Sequence, residues 1–412
     1  VAAGAALRAP APPGRTADAE STAKELTTEP PPLERCFPED DVAPAVQSGA
    51  EAAEAASSPA PRTIGDLLDR AAERFDARDY ARALACADEA IRDAPRSVEA
   101  HHDRAAALAG LGRLEEARVS FELALAMDPN DPETLAAAAD LFVNRLGPGH
   151  ELTLVGLEYA RRGARRVRRP RERALAGRLA LVEAQALNDL GRTDEAFARA
   201  EVALNALSSS REPAAQAAAV DARYERAVAL FELSRFRQAR HELEKVVALQ
   251  PEDAYTHYQL GLVLDRFGLQ PEAHFHFERA TTLAPKEFPP HLDVSKTEFA
   301  SLVTELMAAL PVPAKQDLAK AHVVVEEAPS DEDLLAPTPP LSPTILGLFR
   351  GAPLCANDGA TPERTIVLYR KNLIRAARSR DELRQQVRTT LLHELGHLRG
   401  EDDDELRTRG LE

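Results

Sequence analysis

This sequence is poor in cysteine, has no long uncharged apolar run and has no surplus of positive charge. Each shortage removes a class of protein. Cys36, Cys86 and Cys355 are odd in number, widely scattered and form no CxxC pair. No disulfide framework is therefore expected, and such usage fits a reducing, cytoplasmic compartment. No stretch approaches the ~18 uncharged apolar residues that a membrane helix needs. Val1 to Leu7 are apolar, but Arg8 and a run of prolines follow at once, which is too short and wrongly flanked for an export signal. The formal net charge is -16, so the Lys and Arg excess that phosphate attraction requires is missing and nucleic-acid binding is not expected. One local exception is RRGARRVRRPRER, Arg161 to Arg173, which reads as a solvated helix end and linker rather than an RNA-binding patch.

What the chain does have is length. Its 412 residues, 44% hydrophobic and 29% charged, exceed one ordinary core and predict two or three domains. Residues 1–62 are rich in Ala, Pro, Glu, Ser and Thr, with no periodicity. Such a segment buries too little apolar surface to offset its ordering entropy, and a disordered arm is expected.

From Ile64 an Ala/Leu-rich helical pattern begins, and it repeats. DYARALACADEAIRDAP ends at Pro95, RLEEARVSFELALAMDP at Pro129, RFRQARHELEKVVALQP at Pro251 and LQPEAHFHFERATTLAP at Pro285. Pro95 to Pro129 and Pro251 to Pro285 each span 34 residues. A small residue stands twelve before each proline (Ala83, Ala117, Ala239, Ala273), and Ala90, Ala124, Val246 and Ala280 stand five before it. A further small residue, Ala71, Ala105, Ala227 or Gly261, falls where two helices must approach closely. A fifth unit, LNDLGRTDEAFARAEVAL, has Gly191, Ala196 and Ala203 in place but lacks the closing proline, and the stretch from Pro129 to Pro170 is a longer, irregular unit. Period and positions together resemble the tetratricopeptide repeat over residues 63–287, in about six helix pairs. The resemblance implies an α solenoid whose groove docks a protein or peptide partner.

After Pro290 the pattern changes. Ser295 to Leu310 reads as an amphipathic helix, and His322 to Val325, Ile345 to Phe349 and Thr365 to Tyr369 read as strands. Strands between helices over residues 288–412 predict a small α+β domain that folds apart from the repeats.

The last long helix opens on Ser379-x-x-Glu382, a capping box. Its apolar stripe is Leu383, Val387, Leu391, Leu395 and Leu398. At about 100° per residue, His393 and His397 lie within about 40° of each other and outside that stripe, with Glu394 near its edge. Two imidazoles spaced i, i+4 can share one Zn²⁺, and the glutamate between them is placed to take a proton from an activated water. Gly400 can end the helix in a left-handed conformation and return the chain with a carboxylate. Asp403 is the expected third ligand, with Asp402, Asp404 and Glu405 as alternatives in a run that otherwise reads as a solvated tail.

HVVVEEAP, the GLFRG of Gly347 to Gly351, TIVLYRKNLIRAA and HELGHLRGEDD together resemble the bacterial minimal-zincin family of zinc metallopeptidases over about residues 299–406. Its HExxHxxGxxD signature implies His393, His397 and Asp403 as metal ligands and Glu394 as catalytic base. The loop at Pro337 to Pro343 is enlarged against that pattern. Tyr369 and Arg370 are candidate oxyanion stabilisers, although strand packing and surface charge account for them better. The histidines of the repeat helices (His101, His102, His257, His274, His276) read as packing or surface residues. The function implied is a zinc-dependent peptide hydrolase with a docking array. The alternative is an interaction scaffold whose zinc is structural or idle.

Overall fold

The computed structural model describes residues 36–37, 63–169, 172–356 and 363–411. The predicted disordered arm, apart from Cys36 and Phe37, lies outside them. Twelve helices come first in the described chain, in consecutive pairs. They are α1 (Ile64–Asp76) and α2 (Tyr80–Asp93), α3 (Val98–Gly110) and α4 (Leu114–Met127), α5 (Pro132–Asp140) and α6 (His150–Ala164). They continue as α7 (Arg173–Asp189) and α8 (Thr193–Leu207), α9 (Pro213–Glu232) and α10 (Phe236–Leu249), α11 (Ala254–Arg266) and α12 (Gln270–Leu283). This is the tetratricopeptide-repeat solenoid that the period predicts.

The repeat positions do what their size requires. Ala83, Ala117, Ala239 and Ala273 are at most 2% exposed, and Ala90, Ala124, Val246 and Ala280 are wholly buried. At Gly261 a Cβ would stand 2.7 Å from the Phe277 ring, so only glycine lets α11 and α12 meet there. The two helices of each pair are joined through a residue at positive φ, glycine at Gly112, Gly147, Gly191 and Gly268 but Arg78 and Ser234 in the other two. The longer third unit has a physical cause: α5 runs on into a π-helical turn, Leu141–Arg145, closed by Leu146 N–H on the Leu141 carbonyl.

One feature of the repeats was hidden in the sequence. His101 Nε2 lies 3.1 Å from the Pro95 carbonyl and His257 Nε2 lies 3.0 Å from that of Pro251, so each ring ties a helix to the preceding closing proline. The basic run is likewise structural. Arg165 pairs with Glu158 at 3.0 Å, Arg162 stacks over Tyr159 and Arg173 donates to the Asn205 carbonyl.

One expectation is overturned. Cys36 and Cys86 form a disulfide, wholly buried among Leu67, Ala71, Ala90 and Ala100. Their separation of 50 residues follows no local spacing rule, and Cys36 stands in a segment with no helical pattern to place it.

Beyond the repeats come α13 (Lys296–Ala309), α14 (Val312–Leu318), β1 (His322–Glu326), α15 (Asp331–Leu335), β2 (Gly347–Arg350) and β3 (Thr365–Tyr369). They are followed by α16 (Arg370–Ala376), α17 (Arg380–Arg399) and α18 (Asp403–Thr408). The sheet has the order β1-β3-β2, with β1 parallel and β2 antiparallel to β3. The side chains of β3 alternate as a strand must. Ile366 and Leu368 pack against the apolar stripe of α17, whereas Val367 and Tyr369 join Ile345 and Leu348 on the opposite face.

The described chain divides into two compact units. One holds residues up to 191 together with 198–219, and the other holds 192–197 with 220 onward. In the second unit α11 and α16 are joined by Asp265, which takes Lys371 Nζ at 2.6 Å and Arg375 at 2.7 Å. Leu334 of α15 is wholly buried in the same core as Phe236, Leu260 and Phe277.

Candidate metal centre

The site is built on α17. Ser379 caps the helix by accepting from the Glu382 N–H at 3.1 Å. The reciprocal half of the expected box is displaced, since the Glu382 carboxylate accepts from Arg378 N–H rather than from Ser379. All five stripe residues are buried, at 2% exposure or less. They lock the rotation of the helix, and that rotation aims His393, Glu394 and His397. Gly400, at φ +97°, ends the helix in the left-handed region as expected.

The chain then turns through Glu401 into α18, and this return depends on Gly396, the glycine between the two histidines. A Cβ there would collide with Leu406 Cδ2, and Leu406 is wholly buried against the helix. Gly396 thus creates the close approach that brings Asp403, the first residue of α18, over the histidine face.

His393 Nε2 and His397 Nε2 are 3.0 Å apart. Asp403 Oδ1 lies 3.7 Å from the first and 3.5 Å from the second. Three donors around a tetrahedral ion at ~2.1 Å stand about 3.3 to 3.5 Å from one another, so this triangle has the size of a zinc site. Both Nδ1 atoms face main-chain carbonyls, that of Leu411 at 2.7 Å for His393 and that of Glu401 at 3.1 Å for His397. A ring that donates through Nδ1–H keeps its lone pair on Nε2, on the side of Asp403. Burial, then the neighbouring His393, lowers the pKa of His397, which favours the neutral, metal-binding form.

The alternative carboxylates are committed elsewhere. Asp402 caps α18 and Glu405 closes that capping box, while Asp404 pairs with Arg407 at 2.9 Å.

Glu394 is 1% exposed. Burial, with a smaller push from Asp403, raises its pKa to about 8 against the pull of the Phe349 backbone. β2 passes directly over it: a Cβ on Gly347 would stand 2.9 Å from Glu394 Oε1 and 2.6 Å from Thr390 Cγ2. A divalent cation between the histidines would favour the charged carboxylate and offset the burial.

Tyr369 and Arg370 are not at this site. Tyr369 sits on the sheet face away from α17, its hydroxyl 3.4 Å from Asp333, and its pKa is raised by burial and by that carboxylate. Arg370 is held by both oxygens of Glu327 and by the Val294 carbonyl. Sequence reasoning missed Gly347, Gly396 and the Leu411 carbonyl. The two glycines left a signal, one in GLFRG and one in HELGH, but a carbonyl leaves none.

Residues 318–411 match the family model of zincin-like metallopeptidases, and residues 68–132 and 224–288 match a tetratricopeptide repeat model. No curated protein matches the chain. Among solved structures, the chain is similar to PilW, described as a widely conserved type IV pilus biogenesis factor. That match has 18% identity, covers 59% of this chain and all of that one, and has a TM-score of 0.45. YrrB, described as a repeat protein with an unusual peptide-binding site, matches at 16% identity over 50% of this chain and 95% of its own, with a TM-score of 0.37. A thermophilic repeat protein of Thermus thermophilus matches at 18% identity over 49% of this chain and 99% of its own, with a TM-score of 0.37.

Proposed function

We propose that this chain of tetratricopeptide repeats and a zincin-like domain is a zinc-dependent metallopeptidase whose repeats dock the substrate or a partner protein. The observation that supports it best is the triangle of His393 Nε2, His397 Nε2 and Asp403 Oδ1 around a metal-sized gap, next to a buried glutamate. His393, His397 and Asp403 would hold the ion, leaving one position open. Zinc, when bound there, supplies electrophilic activation of water and of a peptide carbonyl.

The remaining work falls to protein groups. Glu394 takes the proton of the attacking water on its carboxylate and returns it to the departing amine. Burial raises its affinity for that proton and a bound cation would lower it, so the two act against each other at the same carboxylate. β2 is an edge strand beside Glu394, so an extended peptide could pair along it and bring a carbonyl over the site.

Glu394→Gln should retain zinc, because glutamate lies outside the ligand set, and should lose ~10²- to 10⁴-fold in cleavage rate. The substrate is best found by capture on the Glu394→Gln protein and then offered to wild type. Equal cleavage by both proteins would sink the role of Glu394.

A second reading, a scaffold with structural or idle zinc, draws on the closure of the site: His393 is 4% and Glu394 1% exposed. Stable capture with no processing by either protein would favour it, as would a metal with no exchangeable water. On compartment, the Cys36–Cys86 disulfide favours an oxidising environment over the cytoplasm that scattered cysteines suggest. No described helix is long and apolar enough to cross a membrane.

A further inference from the structure

The segment 401–411 reads in sequence as an acidic, solvated tail with one ligand in it. In the folded chain it holds both imidazole rings from behind. Glu401 offers its carbonyl to His397 Nδ1, and Leu411 offers its carbonyl to His393 Nδ1. The path between the two carbonyls is tightly specified. Leu406 is pinned against Gly396, and Arg409 forms an ion pair with Glu401. Gly410, at φ +69°, reverses the chain after α18, with its N–H on the Arg407 carbonyl at 2.9 Å. Leu411 N–H returns to the Leu406 carbonyl at 3.1 Å. Left-handed backbone at 410 is inexpensive only for glycine. That reversal points the next carbonyl at the ring of His393, at 2.7 Å the shorter of the two ring-to-carbonyl contacts.

We propose that the main-chain carbonyl of Leu411 is a positioning group for the metal centre, holding His393 in the Nδ1–H tautomer with Nε2 presented to the ion. This rests on the zinc reading above. Loss of that acceptor removes one hold on the orientation and tautomer of the ring. Binding must then select one state out of several, which costs affinity even though every ligand remains. The leucine side chain has no part in this, so the contribution cannot be recognised from residue type.

The test uses the full chain, a chain ended at Leu411, a chain ended at Gly410, and Leu411→Ala. Zinc affinity is measured by competition with a chromophoric chelator, and the ligand field by the visible spectrum of the cobalt(II)-substituted site. The Gly410-ended chain should bind zinc at least ~10-fold more weakly, the scale of outer-shell losses, with an altered cobalt spectrum. Leu411→Ala keeps the neutral carbonyl and should behave as wild type, whereas the Leu411-ended chain replaces it with a terminal carboxylate, a stronger acceptor, and should bind zinc at least as tightly as wild type. If the Gly410-ended chain melts lower without metal, Gly410→Val takes its place. That variant keeps every other residue but resists the left-handed turn, and it should show the same loss. Wild-type affinity and spectrum in both would overturn the proposal, as would an equal loss in Leu411→Ala. Absence of zinc binding by the full chain would instead overturn the metallopeptidase reading itself.

Discussion

At the scale of single residues, Asp403 and Gly396 would divide the labour of making a third ligand for the proposed zinc. Asp403 supplies the oxygen, and Gly396 lets α18 come near enough to deliver it. Asp403→Ala should weaken zinc binding by at least ~10-fold. Unchanged affinity in that variant, with loss in Asp404→Ala or Glu405→Ala instead, would move the ligand to a neighbour. Gly396→Ala should produce a similar loss while every ligand stays in the sequence, because its Cβ would displace Leu406 and with it the start of α18. Chelator competition on that variant checks this, and wild-type affinity would show that α18 can shift without moving Asp403.

Among the elements, the helix turns and the disulfide make separable predictions. Ser234 occupies the left-handed position that Gly268 fills one repeat later, and its hydroxyl is buried with no hydrogen-bond partner among the described residues. Ser234→Gly should stabilise the chain by about 0.5–1 kcal/mol, measured by the denaturant midpoint at unchanged slope, because glycine adopts that conformation at little steric cost. A lowered midpoint would mean that the serine makes up for its backbone elsewhere. Cys36–Cys86 closes a loop of 50 residues, which chain-entropy reasoning values at about 4 kcal/mol. Reduction, or Cys36→Ser, should therefore speed amide exchange in α1 and α2 while leaving α11 and α12 unaffected. No thiol-dependent change in exchange would remove the disulfide from the account of stability.

For the whole molecule, the question is where one folding unit ends. The composition change near residue 287 predicts independent folding of the two parts. Asp265, however, binds α11 to α16 inside one compact unit, and a chain ended at Lys286 loses both of its cationic partners. Burial raises the Asp265 pKa, but Arg375 and Lys371 outweigh it and hold the carboxyl at about 2. Because the folded value lies below the unfolded one, the unfolded chain takes up this proton first as pH falls. The stabilisation, on the order of 2 kcal/mol, is whole above pH 4 and is lost toward pH 2. Asp265→Asn should lower the neutral-pH melting temperature and reduce its fall between pH 4 and 2. Parallel acid profiles for the two proteins would show that the cluster contributes nothing to stability. Melting of the Lys286-ended chain at the wild-type temperature of α9 to α12 would restore the boundary near 287.

The sequence by itself determined whatever depends on local period and residue type. The 34-residue spacing that separates Pro95 from Pro129 and Pro251 from Pro285 revealed the helix pairs, since small residues must recur wherever helices touch. The i, i+4 spacing of His393 and His397, off the leucine stripe, put two imidazoles on one face, because helical geometry leaves no alternative. Tertiary structure decided what depends on separated segments meeting. Cys36 reaches Cys86, Asp403 rather than Asp402, Asp404 or Glu405 faces the histidines, and Tyr369 falls on the far side of the sheet from α17. Asp265 finds Lys371 and Arg375, and a backbone carbonyl at Leu411 meets His393. None of these pairings has a period. Each follows from how close two surfaces can come, and at α17 that closeness was set by Gly396, where a side chain is missing.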